Sequence, residues 1–290
     1  MTTRPTTNVL VALRNILDRN SCILTPIFRS NGQPNAAGDS LEYFIKDMFC
    51  TGASQYQYEH EKLKVYNQYL SWTGNSTNFP DFIIIGGAGV EPKKLNNQSY
   101  STLALNSSYP KDYIYPDSQN LPKNINEAPW TKKNVIYVAG NLNTDTNKLI
   151  SLWFVYGNTM VADKEVYLKL IEDIRVAIKS TNATLMKSQE LARAKGIDPL
   201  KASNLRVRGM YELEHPHKVF GNYTTRDDIP KDASKIYIIM LKSDYENLED
   251  KPDFSLQINS GQLKITEINI PDPNDPKKTL VALLYEGYTL

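Results

Sequence analysis

The chain reads as a mixed α/β protein with a central mixed β-sheet flanked by helices. Two observations predict this. Segments with apolar residues at helical spacing precede, flank and interrupt short β-branched runs. No Gly/Ser-rich linker divides the 290 residues, and a hydrophobic content of 41% is enough for one sizeable core. The expectation is therefore a single domain over residues 1–290, with elaborations and no internal repeat.

In order along the chain, helices are expected over Val9–Asp18, Ala36–Phe49, Glu61–Ser71 and Lys164–Lys179. The second is the clearest, because Leu41, Phe44, Ile45, Met48 and Phe49 fall on one helical face. Strands are expected at Phe82–Ile85, Val90–Leu95, Val135–Ala139, Leu149–Val155, Leu205–Val207, Ile236–Leu241, Leu263–Ile268 and Leu280–Tyr285, all short runs with β-branched or aromatic residues. Between them, Asp112 to Lys133 is rich in Pro, Asn and Tyr and shows no periodicity. A loop of that length inside a compact domain is usually functional or disordered.

The most informative stretch runs from Asn78 to Leu95. It places Pro80-Asp81, the apolar run Phe82 to Ile85, the glycine-rich turn Gly86-Gly87-Ala88-Gly89 and Glu91-Pro92-Lys93-Lys94 in sequence. If the two strands form a hairpin, Asp81 at its mouth comes near Glu91. Alternation puts Glu91 and Lys93 on one face and Val90, Pro92 and Lys94 on the other. Two carboxylates for a hard, oxygen-seeking cation and one ammonium beside an attacking water are what a metal-dependent phosphodiesterase needs. The same pattern also arises as a solvated Glu–Lys pair on a surface hairpin, worth roughly 0–1 kcal/mol. A nucleotide-binding loop is a second, weaker reading of the glycine cluster, because such a loop must open a helix and here an apparent strand follows. Pro92 cannot donate a ladder hydrogen bond and fits only where its nitrogen faces away from a neighbouring strand.

Glu42 lies near the edge of the buried stripe of the second helix. It is either an exposed glutamate paired with Lys46, one turn on, or an acid reaching the metal site directly or through water.

Composition narrows the remaining possibilities. Thirty-three Lys and Arg against 32 Asp and Glu give a net charge of +1, which argues against binding DNA by bulk charge but leaves room for a basic cleft. There is no long apolar run and no basic-then-apolar leader, so the chain is expected in the cytoplasm and away from membranes. Cys22 and Cys50 are too few for a disulfide framework and are expected as small core residues. His215-Pro216-His217 invites a zinc reading, but zinc needs at least one further nitrogen or sulfur ligand.

Several segments together resemble, in order, the NgoPII-type type II restriction endonucleases of the PD-(D/E)XK nuclease superfamily. They are Ala37-Gly38-Asp39-Ser40-Leu41-Glu42, Pro80-Asp81, Glu91-Pro92-Lys93-Lys94, Leu103-Ala104-Leu105-Asn106-Ser107-Ser108-Tyr109-Pro110-Lys111, Ile197-Asp198-Pro199-Leu200 and Leu205-Arg206-Val207-Arg208-Gly209-Met210. The resemblance covers roughly Ala36 to Phe220, and the segments around Asn106 and Arg206 are its most specific parts. It implies a PD-(D/E)XK fold and Mg²⁺-dependent cleavage of duplex DNA at a short GC-rich palindrome of the GGCC type, with one or two ions per site. Products would carry 5′-phosphate and 3′-hydroxyl ends. Carried over by position, Asp81 and Glu91 would bind metal and Lys93 would be the lysine of the triad. Pro92 departs from the aliphatic residue more usual there, which touches local strand geometry more than chemistry.

On this reading the catalytic core spans about residues 36–160, and recognition elements fall at about 100–133 and 185–225. Arg206 and Arg208 share one face of an expected strand and could present their planar forks to guanines; the alternative is structural or phosphate-binding arginines. Asn106, Ser107, Ser108, Lys111 and Lys94 are expected on the DNA backbone, positioning without specifying. The Asp112–Lys133 segment reads as an arm around DNA or a partner subunit. Cutting both strands of a palindrome favours a two-fold homodimer, and the host would need a protecting methyltransferase. The rival readings are a catalytically inactive DNA-binding protein and a structure-specific nuclease of the same fold.

Overall fold

Alternation along the central strands decides the architecture. Val135, Tyr137 and Ala139 enter one buried cluster while Ile136 and Val138 enter another, so both faces of the strand are dry and both must be covered. The computed structural model describes residues 4–19, 21–29, 33, 40–106, 108–180, 184–186 and 190–290. Within them the helices are α1 (Val9–Leu17), α2 (Ser40–Phe49), α3 (Glu59–Tyr69), α4 (Lys164–Lys179), α5 (Pro216–Phe220), α6 (Lys242–Glu246) and α7 (Ser255–Asn259). The strands are β1 (Leu70–Trp72), β2 (Phe82–Ile84), β3 (Gly89–Asn96), β4 (Leu103–Asn106), β5 (Tyr113–Ile114), β6 (Lys133–Leu142) and β7 (Leu149–Tyr156). They continue with β8 (Thr184–Leu185), β9 (Ala192–Lys195), β10 (Asn204–Val207), β11 (Tyr211–Leu213), β12 (Ser234–Leu241), β13 (Leu263–Asp272) and β14 (Asp275–Thr289).

Among the described residues nine strands form the central sheet, in the order β1-β2-β3-β6-β7-β12-β14-β13 with β5 paired to β6. It is mixed: β3–β6 and β7–β12 are parallel, and the other neighbours along that order run antiparallel. The mixed α/β class with helices on a central mixed sheet is thus as the sequence predicts. One face carries α1 and α2, whose Leu13, Leu41, Ile45 and Phe49 join Val90, Val138 and Phe154. The other buries Trp153, Tyr237 and Phe220, and β4 and β11 lay Leu103, Leu105 and Leu213 over it. A separate three-stranded sheet, β10-β9-β8, stands beyond α4 in sequence.

The predicted helix over Glu61–Ser71 begins two residues earlier, at Glu59, and ends at Tyr69, where the chain passes straight into β1. Of the helix expected from Ala36, the part from Ser40 is described; Ala36 to Asp39 lie outside the described residues. The Asp112–Lys133 segment lies back on the body. Phe79 N donates to Asn120 O at 2.9 Å, Asn126 N to Ser71 O at 2.9 Å, and Tyr113–Ile114 pairs with β6.

Pro92 finds the place that proline requires. Pairing of β2 with β3 covers only Gly89 and Val90, so further along β3 the ladder continues on the β6 side. A proline at 92 therefore removes no bond to β2.

Candidate active site

The β2–β3 hairpin sets Phe82 opposite Val90, which brings Asp81, one residue earlier, across from Glu91. The Asp81 backbone N–H donates to Glu91 Oε2 at 3.0 Å. On the same strand face, two residues on, Lys93 Nζ lies 2.6 Å from Glu91 Oε1. The far end of the hairpin is clamped. Glu127 accepts from Gly86 N at 3.0 Å and pairs with buried Lys133 at 2.7 Å, while Lys133 Nζ also donates to Gly87 O at 3.0 Å.

Helix α2 delivers Glu42 to this hairpin because two glycines permit close approach. A Cβ on Gly140 of β6 would stand 2.6 Å from Leu41 Cδ2, so any larger residue would force the Leu41 side chain, and with it the seat of α2 on the sheet, to shift. Gly74, with φ of +100°, passes so near the hairpin that a Cβ would stand 2.3 Å from Asp81 O and 3.4 Å from Glu42 Oε1. Glu42 pairs with Lys46 at 2.5 Å, and Lys46 Nζ also donates to Thr73 O at 2.7 Å. Glu42, Lys46, Glu59, His60, Gly74 and Asp81 contribute to the wall of a cleft of about 620 Å³.

Crowding sets the electrostatics. Burial, then the neighbouring Glu91 charge, pushes the Asp81 carboxyl up to about 8 from an ordinary 3.8. Burial alone would lower Lys93, but the Glu91 and Asp81 charges outweigh it and hold the ammonium above its ordinary value. Carboxylates confined this way are stabilised by a cation, and their all-oxygen donor set suits a hard divalent ion. Among the described residues no group of three or more His, Cys, Asp and Glu side chains is placed to hold a metal by itself. Two carboxylates completed by water and substrate phosphate are, however, a usual Mg²⁺ complement, so Asp81 and Glu91 fit that ion.

The remaining expected site residues divide. Arg206 ends up on β10 and Arg208 just beyond it, and both reach the carboxylate of Glu190. They line a second cavity of about 540 Å³, shared with Gln119, Asn120, Arg175, Tyr109, Tyr211 and Ser76. Ser76 also lines the Asp81 cleft, so the two depressions adjoin. Lys111 is not brought to the surface. It is 2% exposed, its Nζ donates to Ser108 Oγ and Tyr109 O, and it stands 4.5 Å from the Phe79 ring centroid and 4.4 Å from that of Tyr109. Burial lowers its ammonium to about 8. Ser108 is buried with it, Asn106 ends β4 opposite Tyr211, and Lys94 is half-buried on β3. Ser107 lies outside the described residues.

His215 is occupied structurally. Its Nδ1 accepts from His217 N at 3.0 Å, which leaves Nε2–H to donate to Asn141 Oδ1 at 3.1 Å, so neither ring nitrogen is available to zinc. Both cysteines are buried free thiols. Sequence reasoning missed Glu190, which has no spacing signal because 16 residues separate it from Arg206 and only the β8–β10 sheet joins them. Lys46 was visible as the i+4 partner of Glu42 but not as part of the cleft.

The family model of the NgoPII restriction endonuclease matches residues 7–271. A similar curated protein, "Type II restriction enzyme NgoPII" of Neisseria gonorrhoeae, is 33% identical over 279 residues, covering 96% of this chain and 98% of that protein. No solved structure matches the chain. No helix of the described residues is long and apolar enough to cross a membrane.

Proposed function

The chain belongs to the NgoPII restriction endonuclease family, and from that premise we propose that it is a type II restriction endonuclease with a PD-(D/E)XK site. It cuts both strands of DNA at a short GC-rich palindrome, of the GGCC type, and leaves 5′-phosphate and 3′-hydroxyl ends. The observation that carries the reading is the arrangement of Asp81, Glu91 and Lys93 on one hairpin, with the Asp81 amide and the Lys93 ammonium both on the Glu91 carboxylate.

Asp81 and Glu91 would hold Mg²⁺, one ion or two. Bound there, the ion supplies Lewis-acid charge to the scissile phosphate and to the water that attacks it. Lys93 keeps its proton beside Glu91 and offers a fixed N–H donor for the attacking water and for charge developing on the phosphoryl oxygens. Glu91 orients that ammonium, and its second oxygen is held by the Asp81 amide. Glu42, paired with Lys46, lines the same cleft and would serve the metal site directly or through water. Arg206 and Arg208 read base edges, while Lys94, Asn106, Ser107 and Ser108 serve the DNA backbone and its fit. The chain acts as one domain, pairs as a two-fold homodimer on its palindrome, and works in a cytoplasm that also contains a protecting methyltransferase.

The test is Lys93→Ala, assayed for cleavage in Mg²⁺ and for duplex binding in Ca²⁺. Loss of a general acid–base or charge-stabilising group predicts cleavage slower by about 10²–10⁴-fold, with binding to the cut sequence kept within a few-fold. Cleavage at the wild-type rate would overturn the assignment of the site.

A further inference from the structure

Two arginines that read DNA must be kept from binding phosphate, the far more abundant anion on a duplex. Glu190 stands where it can do this. Its Oε1 accepts from Arg206 Nε at 2.9 Å and from Arg208 Nε at 3.0 Å, its Oε2 accepts from Arg206 Nε at 3.0 Å, and Arg206 Nη2 closes a further contact to Oε1. The Glu190 side chain is 17% exposed, against 53% and 58% for the two arginines it holds. The carboxylate is therefore the inner member of the cluster and the guanidinia the outer ones. The contact consumes the Nε–Nη2 edge of Arg206 and the Nε of Arg208, and among the described residues no other partner engages either fork. Each guanidinium carries five N–H donors, so donors remain on both, and Arg208 keeps its whole Nη1–Nη2 edge. All three residues line the cavity of about 540 Å³ that adjoins the Asp81 cleft.

We propose that Glu190 is a specificity-determining residue: it holds both forks side-on and places a negative charge beside them, so that they take neutral base edges rather than phosphates. A phosphate drawn to either fork meets the carboxylate at close range and loses much of its attraction, whereas guanine O6 and N7 accept from a fork without bringing a full charge. The side-on grip also fixes the plane of each guanidinium, which a bidentate base contact requires.

The inference rests on the proposed nuclease activity, and its test separates the two. Wild type, Glu190→Gln, Glu190→Ala and Arg208→Ala are compared by fluorescence anisotropy on a duplex carrying the cut sequence and on a random duplex, across a salt series without Mg²⁺. With Glu190 neutralised, affinity for the random duplex is expected to rise about tenfold, and its log–log salt slope to steepen by about one as a freed arginine takes a phosphate. Discrimination between the duplexes is expected to fall about tenfold or more, the scale of one lost bidentate contact. Glu190→Gln is sterically conservative and carries the test if the alanine variant fails to fold. If Arg208→Ala loses discrimination while both Glu190 variants keep wild-type affinity, slope and discrimination, the Glu190 assignment is overturned and the nuclease reading stands. A wild-type protein that neither cuts nor prefers any duplex overturns the nuclease reading itself.

Discussion

Removing a carboxylate from the site should stabilise the metal-free protein while abolishing its activity. Asp81 is held protonated up to about 8 instead of 3.8, first by burial and then by Glu91. The folded protein thus binds a proton that the unfolded chain has released, and this group makes folding less favourable as pH rises from 3.8 towards about 8. About four units at roughly 1.36 kcal/mol each set a ceiling of about 5–6 kcal/mol. The cleft is open to water on one side, and solvent screening leaves about 1–3 kcal/mol. With an unfolding entropy of roughly 2.1 cal/mol/K per residue, a chain of this length should gain about 2–5 °C in Tm from Asp81→Asn. The assay is thermal unfolding of wild type and Asp81→Asn in EDTA between pH 6 and 9, repeated in Mg²⁺. The difference should grow with pH in EDTA up to about 8 and level off above it. Mg²⁺ should raise the wild type and leave the variant nearly unmoved, because an ion that binds only the folded state stabilises it by mass action. An Asp81→Asn protein less stable than wild type in EDTA at pH 8 would show that the Asp81 carboxyl does not oppose folding.

Other expectations concern the surroundings of the site. Lys111→Met keeps a side chain of similar length between the Phe79 and Tyr109 rings but removes an ammonium whose charge is felt at Glu91. Melting should change little and cognate binding should persist, while cleavage slows by about tenfold, the worth of a 1.4 kcal/mol charge effect; an unchanged rate would leave Lys111 a packing role only. His215 is fully buried and its imidazolium is disfavoured, with its value lowered from 6.5 to about 4 by burial and then by the charges of His217 and Lys218. The unfolded chain therefore takes the proton first, and stability drains as pH falls from 6.5 towards about 4, by at most about 3 kcal/mol. His215→Gln should flatten that acid limb in a pH series of melting curves; an equally steep limb would contradict the assignment. Lys133→Met strands the buried Glu127 carboxylate and should cost about 3–5 kcal/mol in denaturant unfolding, most of which Glu127→Gln in the same chain should restore.

What could be read from the sequence follows from the range of the forces involved. Helical periodicity located α1, α2 and α4 to within a residue or two where they are described, and β-branched runs located β2, β3, β6, β7, β12 and β13. The hairpin that joins Asp81 to Glu91 was legible because a glycine turn between two apolar runs is local information. The strands β1, β4 and β11 were not, since runs such as Leu70-Ser71-Trp72 are too short to show a period and owe their form to tertiary pairing. The same holds for the site's electrostatics. That Lys111 would be sealed between two aromatic rings, or that Glu190 would gather two arginines, depends on segments brought together only by the fold. The clamp of Glu127 and Lys133 on the hairpin turn was hidden for that reason too, within a segment that lacked any periodicity.

The most direct test of the central claim is to incubate the purified protein with long unmethylated DNA of known sequence, in Mg²⁺ or in EDTA, and to sequence the fragment ends. Discrete ends are expected that form only in Mg²⁺, share one GC-rich palindrome and carry 5′-phosphates. DNA binding with no cleavage in any divalent ion would contradict it and point to a catalytically inactive DNA-binding protein, and ends clustered at branched or damaged sites would point to a structure-specific nuclease.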